Sequence, residues 1–335
     1  MKKYRFSALC FFMVTAILLI SNTACKQAPK QQTVETSNDN EQTDSIPAPF
    51  FKLSLAQWSI NKMIREEGVD PYTFAEKAKS WGFDGLEYVS GLYYPELETE
   101  NFSESAMQAF IDRSNAEAKK YGLENLLIMV DGQGDLAAEN QTDRNDAVAQ
   151  HQKWVDAAAA MGCHSIRVNL SGAMDKATWI AASVDGLTQL ANYAKDKSIN
   201  IIVENHGGPS SNASWLAEVM QQVNLENCGT LPDFGNFCVK RANGSYYDSE
   251  CVEEYDKYVG VKELMPFAKA VSAKSYAFDE NGTETTIDYQ KMLAIVKEAG
   301  YSGYIGVEYE GKELGEQEGI LATRDLLLTS GSAKP

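Results

Sequence analysis

Residues 119–130 read KKYGLENLLIMV, and this stretch decides the fold. A lysine-bearing helix end runs into Gly122, and a wholly apolar run from Leu126 to Val130 follows within four residues. Glycine just past a helix takes the left-handed conformation that closes it. A short, mostly apolar run then suits a strand of a sheet covered on one face by helices. The stretch therefore predicts a helix, a tight reversal and a buried strand.

The same junction recurs outward in both directions. Lys-Ser-Trp81-Gly82, Ala-Ala-Met161-Gly162 and Glu-Ala299-Gly300 each end an amphipathic segment just before an apolar run. Helix starts are marked as well: Asp70-Pro71 sets a capping acid before a first-turn proline, and Ser103, Ser214 and Asp288 precede helical runs. Strands are predicted at 53–58, 84–89, 125–130, 164–169, 199–204, 228–233, 270–276 and 304–308. Strands alternating with helices imply parallel pairing, and the span from Leu53 onward suits the ~250 residues of a closed barrel. No Gly-x-Gly-x-x-Gly follows the first strand, so an open dinucleotide-binding sheet has no support. The expected fold is α/β, a single (β/α)8 barrel over residues 50–335.

Composition narrows the partners. The 335 residues carry a formal net charge of −17. Nucleic-acid binding needs a basic footprint that displaces counterions from phosphates, so that class is excluded. At the front, Lys2, Lys3 and Arg5 precede the apolar run Ala8–Ile20 and small residues ending in Thr23-Ala24-Cys25. This predicts a secretory signal over 1–24, its apolar run too short to span a bilayer comfortably. The segment before Cys25 resembles a bacterial lipobox, with Asn22 where leucine is usual, which implies a diacylated Cys25. Residues 26–49 have almost nothing to bury and read as a disordered tether. The expected location is the cell envelope, with membrane contact only through the lipid. Export permits disulfides: Cys238 and Cys251 flank a polar loop and could pair, whereas Cys163 and Cys228 open apolar runs and read as small buried hydrophobes.

Catalytic groups of such a barrel sit where its strands end. Here strands five to eight end on Val203-Glu204-Asn205-His206, Leu231-Pro232-Asp233, Ser272-Ala273-Lys274 and Val307-Glu308-Tyr309-Glu310. The period of two aims Glu204 with His206, Ser272 with Lys274, and Glu308 with Glu310 at one mouth. Clustered carboxylates in a half-buried mouth need a cation. Oxygen ligands suggest Mg²⁺ or Mn²⁺ held by Glu204, Asp233 and Glu308, while Lys274 is the alternative resident charge. At the other strand ends, Trp58 and Tyr88 are candidates to stack on the apolar face of a ligand, and Arg167 and Asn169 to bond its polar groups. Glu87, Gln57 and Asp131 end strands beside them. His206 and Asn236 complete the candidate substrate-binding set, and His151 and His164 read as an ordinary helix residue and an ordinary strand-start residue.

These residues carry a resemblance. From Leu53 to about Leu327 the chain resembles the sugar isomerase/epimerase superfamily with the xylose isomerase-like barrel. In that family Glu on strand five, Asp on six, His on seven and Glu on eight bind one divalent metal. Glu204, Asp233 and Glu308 match, whereas Ser272 stands where the family has its histidine, and Asn236 where epimerases often place another. The resemblance implies an isomerase or epimerase in which Glu204 and Glu308 move a proton beside a carbonyl of a sugar and Lys274 or a metal stabilises the enediolate. A keto-glycoside lyase or hydrolase would begin with the same step. A non-catalytic sugar-binding lipoprotein on a degenerate barrel is the third reading. Three histidines and the acidic charge oppose a multi-zinc endonuclease of the related abasic-site family.

Overall fold

The computed structural model describes residues 48–332 except 248. The expected signal, Cys25 and all but the last two residues of the tether therefore lie outside the described residues. Eight parallel strands form the sheet: β1 Lys52–Ala56, β2 Gly85–Val89, β3 Glu124–Val130, β4 Ser165–Val168, β5 Asn200–Glu204, β6 Cys228–Leu231, β7 Val271–Ser275 and β8 Tyr304–Tyr309. Their order is β6-β5-β4-β3-β2-β1-β8-β7, so the first and last strands of the chain are neighbours. Bridges Thr230 to Ala268 and Asp233 to Ser272 join β6 to β7 and close the barrel. Chain order thus runs around the ring, as a (β/α)8 barrel requires.

The junction glycines do what their sequence context predicts. Gly82, Gly122, Gly162 and Gly300 all have positive φ, between 67° and 84°. Asp70, Ser103 and Asp288 cap helices by accepting backbone N–H bonds from Tyr72, Ala106 and Lys291. Ser214 does not cap. The helix begins at Ala213 and Asn212 accepts from Trp215 instead, because an amide oxygen caps as well as a hydroxyl and Ser214 already lies two residues inside. No helix among the described residues is long and apolar enough to cross a membrane.

Between β6 and β7 the chain departs from the simple alternation. Two short antiparallel strands, Cys238–Arg241 and Cys251–Glu254, form a hairpin over the mouth. A disulfide between Cys238 and Cys251 ties its base. Cys163 is free and buried, and Cys228 is free and half-buried.

Candidate active site

The ends of β5, β6, β7 and β8 bring Glu204, Asp233, Lys274 and Glu308 together. One oxygen from each of the three carboxylates lies within 4.8 Å of the others, and all three residues are buried. Lys274 is wholly buried among them. Its Nζ is 3.1 Å from Glu308 Oε1, 3.2 Å from Glu310 Oε1 and 3.8 Å from Asp233 Oδ2. These contacts are ion pairs, the two shortest at hydrogen-bonding distance. Burial works against that charge, but Glu308, Glu310 and Asp233 outweigh it and push the ammonium pKa well up.

Ser272, in the position of the missing histidine, sets a constraint on protons. Its Oγ is 2.6 Å from Asp233 Oδ2 and 3.0 Å from Glu308 Oε2. A hydroxyl has one proton to donate. Both contacts are full hydrogen bonds when one carboxyl carries a proton of its own; otherwise the single O–H is shared between two carboxylate oxygens. Asp233 Oδ1 already accepts from the backbone N–H groups of Gly235 and Asn236, which favours its charged form. Glu308 lacks such donors. Burial raises its pKa to about 8 despite Lys274, while burial raises Asp233 only to about 6. Burial thus favours a proton on Glu308 over one on Asp233, and a protonated Glu308 would donate to Ser272 while Ser272 donates to Asp233.

On the opposite side Arg167 is the organising cation. Its Nε lies 2.9 Å from Glu204 Oε2, and its Nη1 donates to Asp131 Oδ1 at 2.7 Å and to Asn169 Oδ1 at 3.2 Å. Asn169 donates to the same Asp131 oxygen, and Asn236 Nδ2 donates to Glu204 Oε1 at 3.0 Å. Burial opposes the charge of Asp131, yet Arg167 holds its carboxyl below the usual range. Glu310 behaves alike: burial is outweighed by Lys274 and its pKa falls.

These groups floor a cavity of about 580 Å³ at the mouth. Trp58, Arg167, Asn169, His206, Asn236 and Glu308 line it, whereas Glu204, Asp233 and Lys274 lie behind that lining. Two strand-end candidates are elsewhere. Glu87 is inside the barrel beneath Val89, which does line the cavity, and accepts from Ser54 Oγ at 2.6 Å. Its carboxylate fills the space Gly306 leaves open: a Cβ there would fall 2.5 Å from both oxygens. Tyr88, one residue on, faces outward to Phe74 and Asn125 and cannot stack on a ligand. Gln57 is also structural, tying Tyr93 Oη and Val89 N. Conversely, Glu310, Asp131, Tyr276, Arg241 and Tyr247 line the cavity without having been assigned a role from sequence. So does His151, whose helix position hid its reach; burial lowers its pKa to about 4, leaving it neutral. For Glu310 the signal was present, since it shares its face with Glu308.

The chain belongs to the xylose isomerase-like TIM barrel family, which matches residues 75–328. Over 48 residues it is 42% identical to the 3'-dehydrocarminate deglycosidase alpha subunit of a Microbacterium species. That match covers 14% of this chain and 14% of the relative, so the chain spans about one seventh of that protein's length. Among solved structures it is similar to the IolI protein with a bound zinc atom, at TM-score 0.63 and 16% identity, covering 84% of this chain and 98% of that one. It is also similar to the 3-keto-D-glucoside 4-epimerase YcjR from E. coli, at TM-score 0.62 and 14% identity, covering 83% and 99%. D-psicose 3-epimerase superposes at TM-score 0.62 and 15% identity, covering 84% and 100%. At these identities the likeness shows a shared fold.

Proposed function

We propose that this chain is an enzyme that removes and returns a proton on a carbon beside the carbonyl of a keto-sugar. The observation that carries the reading is the pair Glu308 and Glu310, which face one cavity from one strand and share one lysine. Their surroundings push them apart: Glu308 keeps its proton, and Glu310 is held ionised by Lys274. Two carboxyls separated in this way are the usual signature of a paired acid and base. Glu310 then takes the proton and Glu308 returns one. Arg167, on the cavity wall, opposes the negative charge that grows on the carbonyl oxygen, and the buried Lys274 adds to the same potential. Glu204 orients Arg167 and Asn236.

The metal expectation fits the residues present. Among the described residues, Glu87, Asp131, Glu204, Asp233, Glu308 and Glu310 have Arg167 and Lys274 as the strong cations of their network. Glu204, Asp233 and Glu308 offer oxygen donors alone, a set suited to Mg²⁺ or Mn²⁺. A bound ion would supply positive charge opposite the carbonyl oxygen. With serine in place of histidine, the protein contributes one strong ligand fewer, so the site should bind weakly.

Both the deglycosidase and the epimerase named above act on sugars whose third carbon is oxidised, as their names state. That supports a 3-keto-glycoside as the substrate class here. The deglycosidase match also favours a second outcome: after proton removal at the carbon beside the carbonyl, the substituent on the next carbon leaves and a double bond forms. The Cys238–Cys251 disulfide supports action outside the reducing cytoplasm. We place the enzyme in the envelope, tethered through Cys25.

Incubation with methyl 3-keto-glucoside in deuterated water tests the reading. Nuclear magnetic resonance should show deuterium entering one carbon position, and Glu310→Gln should slow this by ~10²–10⁴-fold. An epimer as product assigns epimerisation, and released methanol assigns elimination. Failure of the wild-type protein to exchange hydrogen on any 3-keto-glycoside or keto-sugar would refute the proposal.

A further inference from the structure

The hairpin over the mouth is braced more firmly than a surface loop needs. Arg241 uses its Nε to hold Tyr246 O at 2.8 Å and its Nη1 to hold Ser249 O at 2.5 Å. Tyr246 Oη meets Gly172 N at 3.1 Å and Gly172 O at 3.3 Å across the mouth. The loop after β5 is hollowed to receive it. Gly207 and Gly208 both have positive φ, and a Cβ on Gly208 would fall 2.6 Å from the Tyr246 ring. The disulfide fixes the base of the same hairpin.

All of this bracing presents one side chain. Tyr247 is 47% exposed, among the few large apolar groups of the described residues that face solvent. Its ring lies 5.1 Å from that of His206, and its hydroxyl is 3.1 Å from His206 Nδ1. Tyr247, His206 and Arg241 line the same cavity as Glu308, Glu310 and Trp58. The cavity's volume, about 580 Å³, falls in the ~300–1,000 Å³ range that holds drug-sized ligands and leaves room beyond one sugar ring.

From this we infer that Tyr247, on its disulfide-tied hairpin, forms a subsite for a second sugar ring, joined to the keto-sugar that the floor acts on. The chemical class of ligand rests on the function proposed above. A pyranose has one face of C–H groups that packs on a flat aromatic ring, and hydroxyls around its rim. Tyr247 supplies the flat face, and His206, Arg241 and Gln133 on the cavity wall supply polar partners. Sugar rather than an aromatic group is favoured because those partners match hydroxyls. The substrate is then a glycoside of at least two rings, not a free monosaccharide.

Binding tests the subsite without relying on catalysis. Calorimetry would compare unoxidised glucose disaccharides of each linkage with methyl glucoside, in the full-length protein. At least one disaccharide should bind roughly tenfold tighter than methyl glucoside. Tyr247→Ala should remove most of that preference, and Tyr247→Phe should retain it. If Tyr247→Ala folds poorly, Tyr247→Leu keeps apolar bulk without the flat ring and should show the same loss. No preference in the wild type, a preference that survives both ring-removing variants, or tighter binding of phenyl glucoside than of every disaccharide would overturn the inference. A preference behaving as expected in a protein that exchanges no hydrogen on keto-sugars would leave the subsite standing and remove the proposed reaction.

Discussion

Glu87 offers a test of the barrel interior that is independent of substrate. Its side chain is almost wholly buried on β2. Oε1 accepts from Ser54, and Oε2 has no hydrogen-bond partner among the described residues. Burial raises its pKa from 4.5 to about 7; the Ser54 bond and Arg167 pull it down, and Glu204 pushes it up. The sign of the stability effect follows. Below pH 4.5 the group is protonated in both folded and unfolded chains and contributes no penalty. Between 4.5 and about 7 the folded chain keeps a proton the unfolded chain has lost, so stability falls as pH rises. Above 7 the penalty is complete. At ~1.36 kcal/mol per pH unit, that rise is worth about 3 kcal/mol.

Glu87→Gln copies the protonated acid at every pH. The amide oxygen keeps the Ser54 bond, and the amide nitrogen is as unpartnered as the acid's O–H. Urea unfolding at pH 4.5 and pH 8 should therefore give different answers. At pH 8 the variant should be more stable by about 3 kcal/mol, visible as a higher midpoint at unchanged slope. At pH 4.5 the two proteins should nearly coincide. An equal shift at both pH values, or destabilisation at pH 8, would mean Glu87 is ionised and satisfied in the native barrel.

Other variants probe the mouth and the anchor. Lys274→Met should slow hydrogen exchange on a keto-sugar by ~10²–10³-fold with little change in KM, as expected for charge that matters mainly in the transition state; a large KM effect at unchanged kcat would make it a binding group. Calorimetry with Mn²⁺ should show weak binding that Glu308→Gln abolishes, and binding that survives the variant would move the metal off this triad. Cys25→Ala should shift the protein from the membrane to the soluble fraction, and unchanged membrane association would sink the lipid anchor.

The barrel was legible because its signals are local. A glycine closing a helix and an apolar run after it are read within a dozen residues, and all eight strands fall within two residues of their expected ends. Glu204, Asp233 and Glu308 were found by the same rule, since a polar residue ending an apolar strand must face the mouth. The rule fails where depth matters. Glu87 and Val89 share a face, but only Val89 reaches the cavity, and periodicity says nothing about how far along the barrel a side chain ends. Tyr88 fails differently, because the alternation that sends Glu87 inward sends its neighbour out. Tyr247, Arg241 and His151 were out of reach altogether. Two arrive on a hairpin whose path depends on Gly207, Gly208 and Gly172, far away in sequence, and the third reaches in from a helix.

Ser272, where the resemblance leads one to expect a histidine, ties the site's chemistry together. A neutral imidazole at that position could ligate a metal and would make no demand on its neighbours' protons. A hydroxyl has a single proton, so its bridge between Asp233 and Glu308 is strongest when one of them is neutral, and the two backbone N–H bonds to Asp233 favour Glu308 as that one. A metal held by this triad would have to expel a proton from Glu308, because ligating carboxylates are ionised. Metal affinity and the proton on Glu308 therefore compete at one oxygen-rich site. On the proposed reading, a metal would bind weakly and with pH dependence for the same reason that a carboxylic acid faces the cavity: a serine, not an imidazole, stands between Asp233 and Glu308.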